Sequence, residues 1–282
     1  MTVTGSAPNA IAAALLSQEA EFSFLDWMTI GVPMGLALLV MAWFLLTRLF
    51  PSRGERLEVE ALRHDLEGMG PLRDGEKRTL LVFLPAVVLW VVGADIASWL
   101  GLPPSFMSAA VVALSASAVL FMVKALEWEN ARTISWDVFL IIGSGLALGE
   151  GLVYSGAAQW MADGLGDALL GTQLIVVLLA VSLVTVMLTN FITNTATAAM
   201  FIPILLGLSR SLGVSPELLV LTCGLSVSLS FITPIGTPPF TLIYSTKRVT
   251  RRDMAKAGIV ITVPSILAIC LFLLAADTLG LF

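Results

Sequence analysis

Leu188-Thr189-Asn190-Phe191-Ile192-Thr193-Asn194-Thr195-Ala196-Thr197 lies in the middle of an apolar stretch that runs from 174 to 208, and Gly236-Thr237-Pro238-Pro239 lies in the middle of a second, from 217 to 244. Each stretch is long and apolar enough to enter a bilayer, and each is broken where a continuous helix would be most apolar. Unpaired backbone polar groups cost several kcal/mol in hydrocarbon, so such breaks persist only where protein, water or a ligand satisfies them. The first break places six polar side chains between arms of about 15 and 11 residues, which predicts a re-entrant hairpin reaching part way across, at about 1.5 Å per helical residue. At the second, the prolines supply no N–H and clash with the preceding turn, while Gly236 permits conformations that other residues avoid.

The composition around these breaks is that of a membrane protein. Of 282 residues, 57% are hydrophobic and 12% charged, against roughly one quarter charged in soluble domains. Further apolar spans are expected at 28–50, 80–99, 107–125, 136–151 and 257–276. The mixed-charge segment 51–78, with Leu57, Leu62 and Leu66 on one face, predicts a cytoplasmic or interfacial helix. The fold class expected is therefore all-α: a polytopic membrane protein with inverted-repeat transporter architecture, one re-entrant helical hairpin and discontinuous helices. No secretory leader is expected, because no basic residue precedes the first apolar residues. Cys223 and Cys270 lie in apolar helices and read as small hydrophobes, and the single histidine, His64, lies in the charged connector, so neither a disulfide nor a metal cluster is expected.

Basic residues set the orientation. Arg48, Arg53, Arg56, Arg63, Arg73, Lys77 and Arg78 place the first connector in the cytoplasm. Counting crossings onward puts Lys124 and Arg132 inside, Asp163 and Asp167 outside, and the cluster Lys247, Arg248, Arg251, Arg252 and Lys256 inside, with Arg210 the only basic residue on the far side. Asp95 and Glu150 fall near span ends and read as interfacial.

Two parts of the chain repeat. Gly5-Ser6-Ala7-Pro8-Asn9 aligns with Gly236-Thr237-Pro238-Pro239-Phe240, and Asp26, five residues before Gly31, aligns with Asp253, five before Gly258. The connector before Asp26 has no Lys or Arg and the one around Asp253 has five, so the copies are expected to end on opposite faces, as an inverted repeat. The segments expected are 1–27, the tail of a first repeat; 28–50, a transmembrane helix; 51–78, the interfacial helix; and 79–282, a second repeat with hairpin 173–208 and broken helix 216–246. The first copy lacks the hairpin that precedes the second, which predicts a truncated or split chain with on the order of 150 further residues upstream.

Inverted repeats with interrupted helices mark secondary transporters, whose substrate and ions bind near the midplane. Freed carbonyls there can hold a hard cation, and helix N-termini offer N–H groups and positive dipole ends to an anion. No Lys or Arg lies at midplane, so an anion would be held by hydroxyls, amides and dipoles, with bound cations supplying the positive charge. Pro33 and Pro203, taken singly, read as kinks.

The residues resemble a known family. Thr193-Asn194-Thr195-Ala196-Thr197, followed by Pro203, is similar to the Ser-Asn-Thr hairpin signature of the divalent-anion/sodium symporter family, and Gly236-Thr237-Pro238-Pro239 to its second Thr-Pro-Pro loop. Gly5-Ser6-Ala7-Pro8-Asn9 resembles the first such loop, and Trp136-Asp137 with Gly143-Ser144-Gly145 the stretch before the second hairpin. The resemblance covers the C-terminal portion of a usual member. It implies sodium-driven transport of C4-dicarboxylate first, then citrate or sulfate, across the cytoplasmic membrane by an elevator motion in a homodimer. It implies Asn194, Thr195, Thr237, Pro238 and Ser6 as substrate contacts, and Thr189, Ile192, Asn194, Gly236 and Gly5 around sodium ions.

Three positions depart from the pattern. Thr193 replaces serine and keeps its hydroxyl, Ala7 replaces a proline, and Phe240 stands where the second loop usually carries asparagine. The alternatives are an inorganic-anion or arsenite exporter of similar architecture and a fragment that transports nothing. An intramembrane enzyme would need a nucleophile with a base, or paired carboxylates, deep in the spans, and these residues supply neither.

Overall fold

A computed structural model describes residues 2–19, 22–51, 70–132, 140, 143–144, 147, 150–169, 171–233, 237–247 and 249–280. Every described regular element is helical. In chain order they are a 3₁₀ turn at Val3–Gly5, α1 (Ala7–Glu19), α2 (Phe24–Leu49), α3 (Asp74–Trp99), a second 3₁₀ turn at Pro104–Met107, α4 (Ala109–Met122), α5 (Trp128–Arg132), α6 (Ala157–Leu169), α7 (Leu174–Phe191), α8 (Asn194–Leu212), α9 (Pro216–Ser226), α10 (Pro238–Ser245) and α11 (Arg251–Thr278). Most of the expected connector helix 51–78 and most of the expected span 136–151 lie outside the described residues, as do Pro234, Ile235 and Gly236.

The chain forms two compact units, one of residues 52–136 and one combining 1–51 with 137–282. In the smaller unit, α3 packs on α4 and on the second 3₁₀ turn. Arg78 donates to the Val123 carbonyl at 3.0 Å and the Trp90 indole to the Ala109 carbonyl at 3.1 Å. Asp95 is exposed near the C-terminal end of α3.

The larger unit is built around α9. This 11-residue helix has Pro216 at its start, where a missing N–H costs nothing, and every residue from Leu218 to Ser226 is buried. It packs against α1, α7, α8 and α11. At about 16 Å it is half a membrane crossing, and the next described helix begins at Pro238. Within the stretch 216–246 the described helices are therefore Pro216–Ser226 and Pro238–Ser245.

Close packing depends on small residues. A Cβ on Gly224 of α9 would sit 3.1 Å from the Trp27 ring and 3.3 Å from the Ala12 Cβ, so glycine here lets α1 and α2 close on the central helix. Four helices among the described residues, α2, α7, α8 and α11, are long and apolar enough to cross a membrane. The far half of α2 exposes Leu36, Leu39, Val40, Trp43 and Phe44, which in a bilayer face hydrocarbon rather than water. Pro33, Pro203 and Pro264 all sit inside continuous helices.

The hairpin arms differ from the sequence expectation. They are 18 and 19 residues, about 27 Å and 28 Å, because Thr189 to Phe191 and Asn194 to Thr197 stay helical. Only Ile192 and Thr193 lie between them. Partial crossing therefore does not follow from arm length.

The two segments that align in sequence share local structure. In each, a loop leads into a shorter helix and then, through a capping box, into a long one. Ser23 and Asp26 close the box of α2, with Ser23 N and Oγ donating to the carboxylate at 2.7 Å and 2.6 Å. Thr250 and Asp253 close that of α11, with Oγ1 donating at 2.6 Å. The aspartate aligned between the two segments satisfies helix N-terminal groups in both.

Candidate functional site at the two helix breaks

At the first break, α7 ends in an extended residue. Ile192 has φ −122° and ψ 171°, which takes its carbonyl out of the helical ladder. Thr193 then caps α8 through its hydroxyl, which accepts from Ala196 N at 3.2 Å. Its carbonyl accepts from Thr197 N at 3.0 Å. Beyond those bonds, the N–H groups of Asn194 and Thr195, the Asn194 side-chain NH₂ and the Thr195 hydroxyl make no hydrogen bond among the described residues. They are donors at the positive end of a 19-residue helix.

The second break ends α9 at Val227 and frees that residue's carbonyl. The buried Thr189 hydroxyl takes it up at 2.9 Å and lies 2.6 Å from Asn194 Oδ1. One hydroxyl proton cannot serve both acceptors at once. Three oxygens from α7, α8 and the end of α9 therefore converge, and an all-oxygen cluster is the ligand type that hard cations take. Two residues expected around a cation, Thr189 and Asn194, are brought together here.

Asn190 fastens one break to the other. Its Oδ1 accepts from Ile232 N at 3.1 Å and Thr233 N at 3.3 Å, and its carbonyl accepts from the Thr233 hydroxyl at 2.7 Å. Its Nδ2 donates to the Val186 carbonyl at 2.8 Å. A single buried side chain thus satisfies backbone that the second break would otherwise strand. Nothing in the polar run itself marks Asn190 for this role, because its partners lie 42 and 43 residues away.

Phe231 and Phe240, on opposite sides of the gap, pack with ring centroids 5.5 Å apart. Phe240 thus gives the loop an apolar clasp. α11 presses on the same loop, where Gly258 lies so close that a Cβ would meet the Phe231 carbonyl oxygen at 2.5 Å and Ile232 Cα at 2.8 Å.

Thr237 is the N-cap of α10, extended at φ −143°, ψ 149°, and its hydroxyl makes no cap bond. Pro238 and Pro239 have no N–H, and the next two amides, of Phe240 and Thr241, bond to the Thr237 carbonyl. This end of the site offers a hydroxyl and a short helix dipole. Gly236 lies outside the described residues.

The first loop contributes differently. Gly5 is exposed and its N–H closes on the Thr2 carbonyl at 3.1 Å. The Ser6 hydroxyl is buried without a hydrogen-bond partner, and Asn9 donates to the Thr2 carbonyl at 2.8 Å while its own side-chain oxygen is buried unpaired. Among the described residues no hydrogen bond joins Ser6 to the hairpin tip, although α1 packs on both α8 and α9.

The profile described as "Sodium:sulfate symporter transmembrane region" matches residues 1–280. The chain belongs to this family. It is a multi-pass protein of the cytoplasmic membrane. It is 31% identical to the sodium-dependent dicarboxylate transporter SdcS of Staphylococcus saprophyticus, over 93% of this chain and 53% of that protein. It is 32% identical to an uncharacterized transporter of Methanocaldococcus jannaschii, over 96% and 59%. To SdcS of Staphylococcus aureus it is 28% identical, over 89% and 50%. The chain spans about half the length of the curated relatives it matches.

Proposed function

We propose that this chain forms one half of a sodium-coupled transport site for small divalent anions, with a C4-dicarboxylate as the favoured substrate. The observation that carries the reading is the convergence of Thr189 Oγ1, Asn194 Oδ1 and the Val227 carbonyl beside the open N-terminus of α8. A cation among those oxygens raises the positive potential at the end of α8 and favours an anion at the Asn194 and Thr195 donors, while the anion in turn retains the cation. Thr189, Ile192, Asn194 and Gly236 surround one sodium ion in this reading, and Gly5 belongs to another. Asn194, Thr195, Thr237, Pro238 and Ser6 contact the anion. Family membership and the names of the relatives support sodium and dicarboxylate. A re-entrant hairpin, inverted repeats, segments at 1–27, 28–50, 51–78 and 79–282, and an elevator motion in a homodimer belong to the same proposal and rest on the resemblance and the charge pattern.

Sulfate is a second reading, favoured by the Phe231–Phe240 clasp at the loop where an amide is usual. The test is uptake of labelled succinate and sulfate into proteoliposomes under an inward sodium gradient. Succinate uptake that collapses when potassium replaces sodium, and in Asn194→Ala, supports the reading. Uptake indifferent to both overturns it, and no uptake of either anion by the reconstituted chain overturns the claim for this half alone.

A further inference from the structure

We infer that the cleft between the end of α10 and the start of α11 binds the phosphate of an anionic phospholipid. The cleft is about 410 Å³ and is lined by Tyr244, Ser245, Lys247, Val249, Thr250 and Arg251. Its polar groups divide into those already used and those left over. The Ser245 hydroxyl donates to the Leu242 carbonyl at 2.7 Å, and the Thr250 hydroxyl donates to Asp253 at 2.6 Å. The Arg251 guanidinium lies over the Tyr244 ring, 5.5 Å from its centroid, and its Nε donates to the Tyr244 Oη at 2.9 Å.

What remains is the Lys247 ammonium, the terminal nitrogens of Arg251 and the Tyr244 O–H, all donors. Among the described residues the one ion pair is Lys77 with Asp74, so neither Lys247 nor Arg251 has a carboxylate partner. Asp253, the nearest carboxylate along α11, is engaged with Thr250 in the helix cap. A cleft lined by two cations that have no ion-pair partner among the described residues, with a planar fork already oriented by an aromatic ring, selects an anion with several oxygens.

The surface continuing from the cleft selects a lipid among such anions. Ile259, Val263, Leu267 and Leu271 recur every fourth residue along α11 and are each about half exposed, and Leu242 and Ile243 are exposed at the end of α10. A headgroup in the cleft would leave its acyl chains along this apolar stripe. Basic pockets at the cytoplasmic ends of membrane helices take anionic headgroups in this way, and the cluster around Lys247 is the one that charge counting places in the cytoplasm.

The test is native mass spectrometry of the delipidated protein with phosphatidylglycerol or phosphatidylcholine. Phosphatidylglycerol should be retained selectively. Its binding should weaken on the order of 30-fold in Lys247→Gln/Arg251→Gln, at about 1 kcal/mol per basic residue, and less in Tyr244→Phe. Arg252→Gln/Lys256→Gln removes the same charge from residues that do not line the cleft and should keep selectivity. Equal binding of the two lipids, or equal loss in the two double variants, overturns the inference. Displacement of phosphatidylglycerol by millimolar inorganic phosphate overturns it too, since the cleft would then be a site for soluble anions. All of these variants change exposed or half-exposed side chains, and an unchanged melting temperature establishes that each is folded.

Discussion

The two breaks meet the same problem, a helix interrupted inside an apolar region, and solve it differently. At the hairpin tip the interruption is two residues long, Thr193 caps the returning helix, and the next donors make no hydrogen bond among the described residues. At the second break the chain leaves α9 at Ser226 and re-enters a helix at Pro238. Its backbone there is held from outside by Asn190, Phe240 and the close pass of α11 at Gly258. The tip organises itself and leaves the Asn194 and Thr195 donors without partners among the described residues. The Pro-Pro break is organised by its neighbours and gives the amides of Ile232 and Thr233 to Asn190.

If that contrast holds, Asn194→Ala has the largest effect on function. It removes an oxygen of the converging cluster and the side-chain NH₂ at the same position, and sodium-driven uptake should fall by about 100-fold, as expected for hydrogen bonds to charged groups. The melting temperature in detergent should barely move. A large stability loss instead would mean that the tip is a structural staple.

Asn190→Ala should do the opposite. It strands the amides of Ile232 and Thr233, each costing about 1–3 kcal/mol when left buried and unsatisfied, so thermal stability should drop clearly. An unchanged melting curve would show that the second break does not depend on the hairpin. Asn190→Asp keeps the acceptor and loses the bond to the Val186 carbonyl, so it should fall between the two.

Gly258→Ala should destabilise by about 1–3 kcal/mol, the usual effect of forcing a methyl into a packed site. The added carbon meets backbone of the break loop, which cannot swing aside as a side chain would. Uptake should fall with stability, and full activity at reduced stability would separate loop position from transport. The smallest effect is expected for Phe240→Leu, which loses the ring pair but keeps bulk, at about 0.5–1.5 kcal/mol. A shift in the ratio of sulfate to succinate uptake in that variant would show the clasp reaching the substrate.

Much of this arrangement was legible in the sequence. Runs of apolar residues give the helices, and Gly, Pro and clustered Thr and Asn give the breaks, because those signals are local. The capping boxes of α2 and α11 show in the sequence only as matched aspartates, and the helical course of Thr189 to Phe191 is hidden because a run of polar residues predicts a loop. In fact their side chains bond to α8, to the end of α9 and to the loop beyond it, while the backbone continues helical. Asn190, Phe231 and Gly258 act through partners 9 to 43 residues away in sequence, and nothing local in a single chain announces such pairs.

The Pro-Pro start of α10 carries one more implication for the proposed transporter. A helix end with amides still free prescribes where each ligand oxygen must lie, whereas an end begun by two prolines attracts charge through its dipole without directing it. Stereochemical strictness would then reside at α8, and tolerance for longer or shorter dianions at α10.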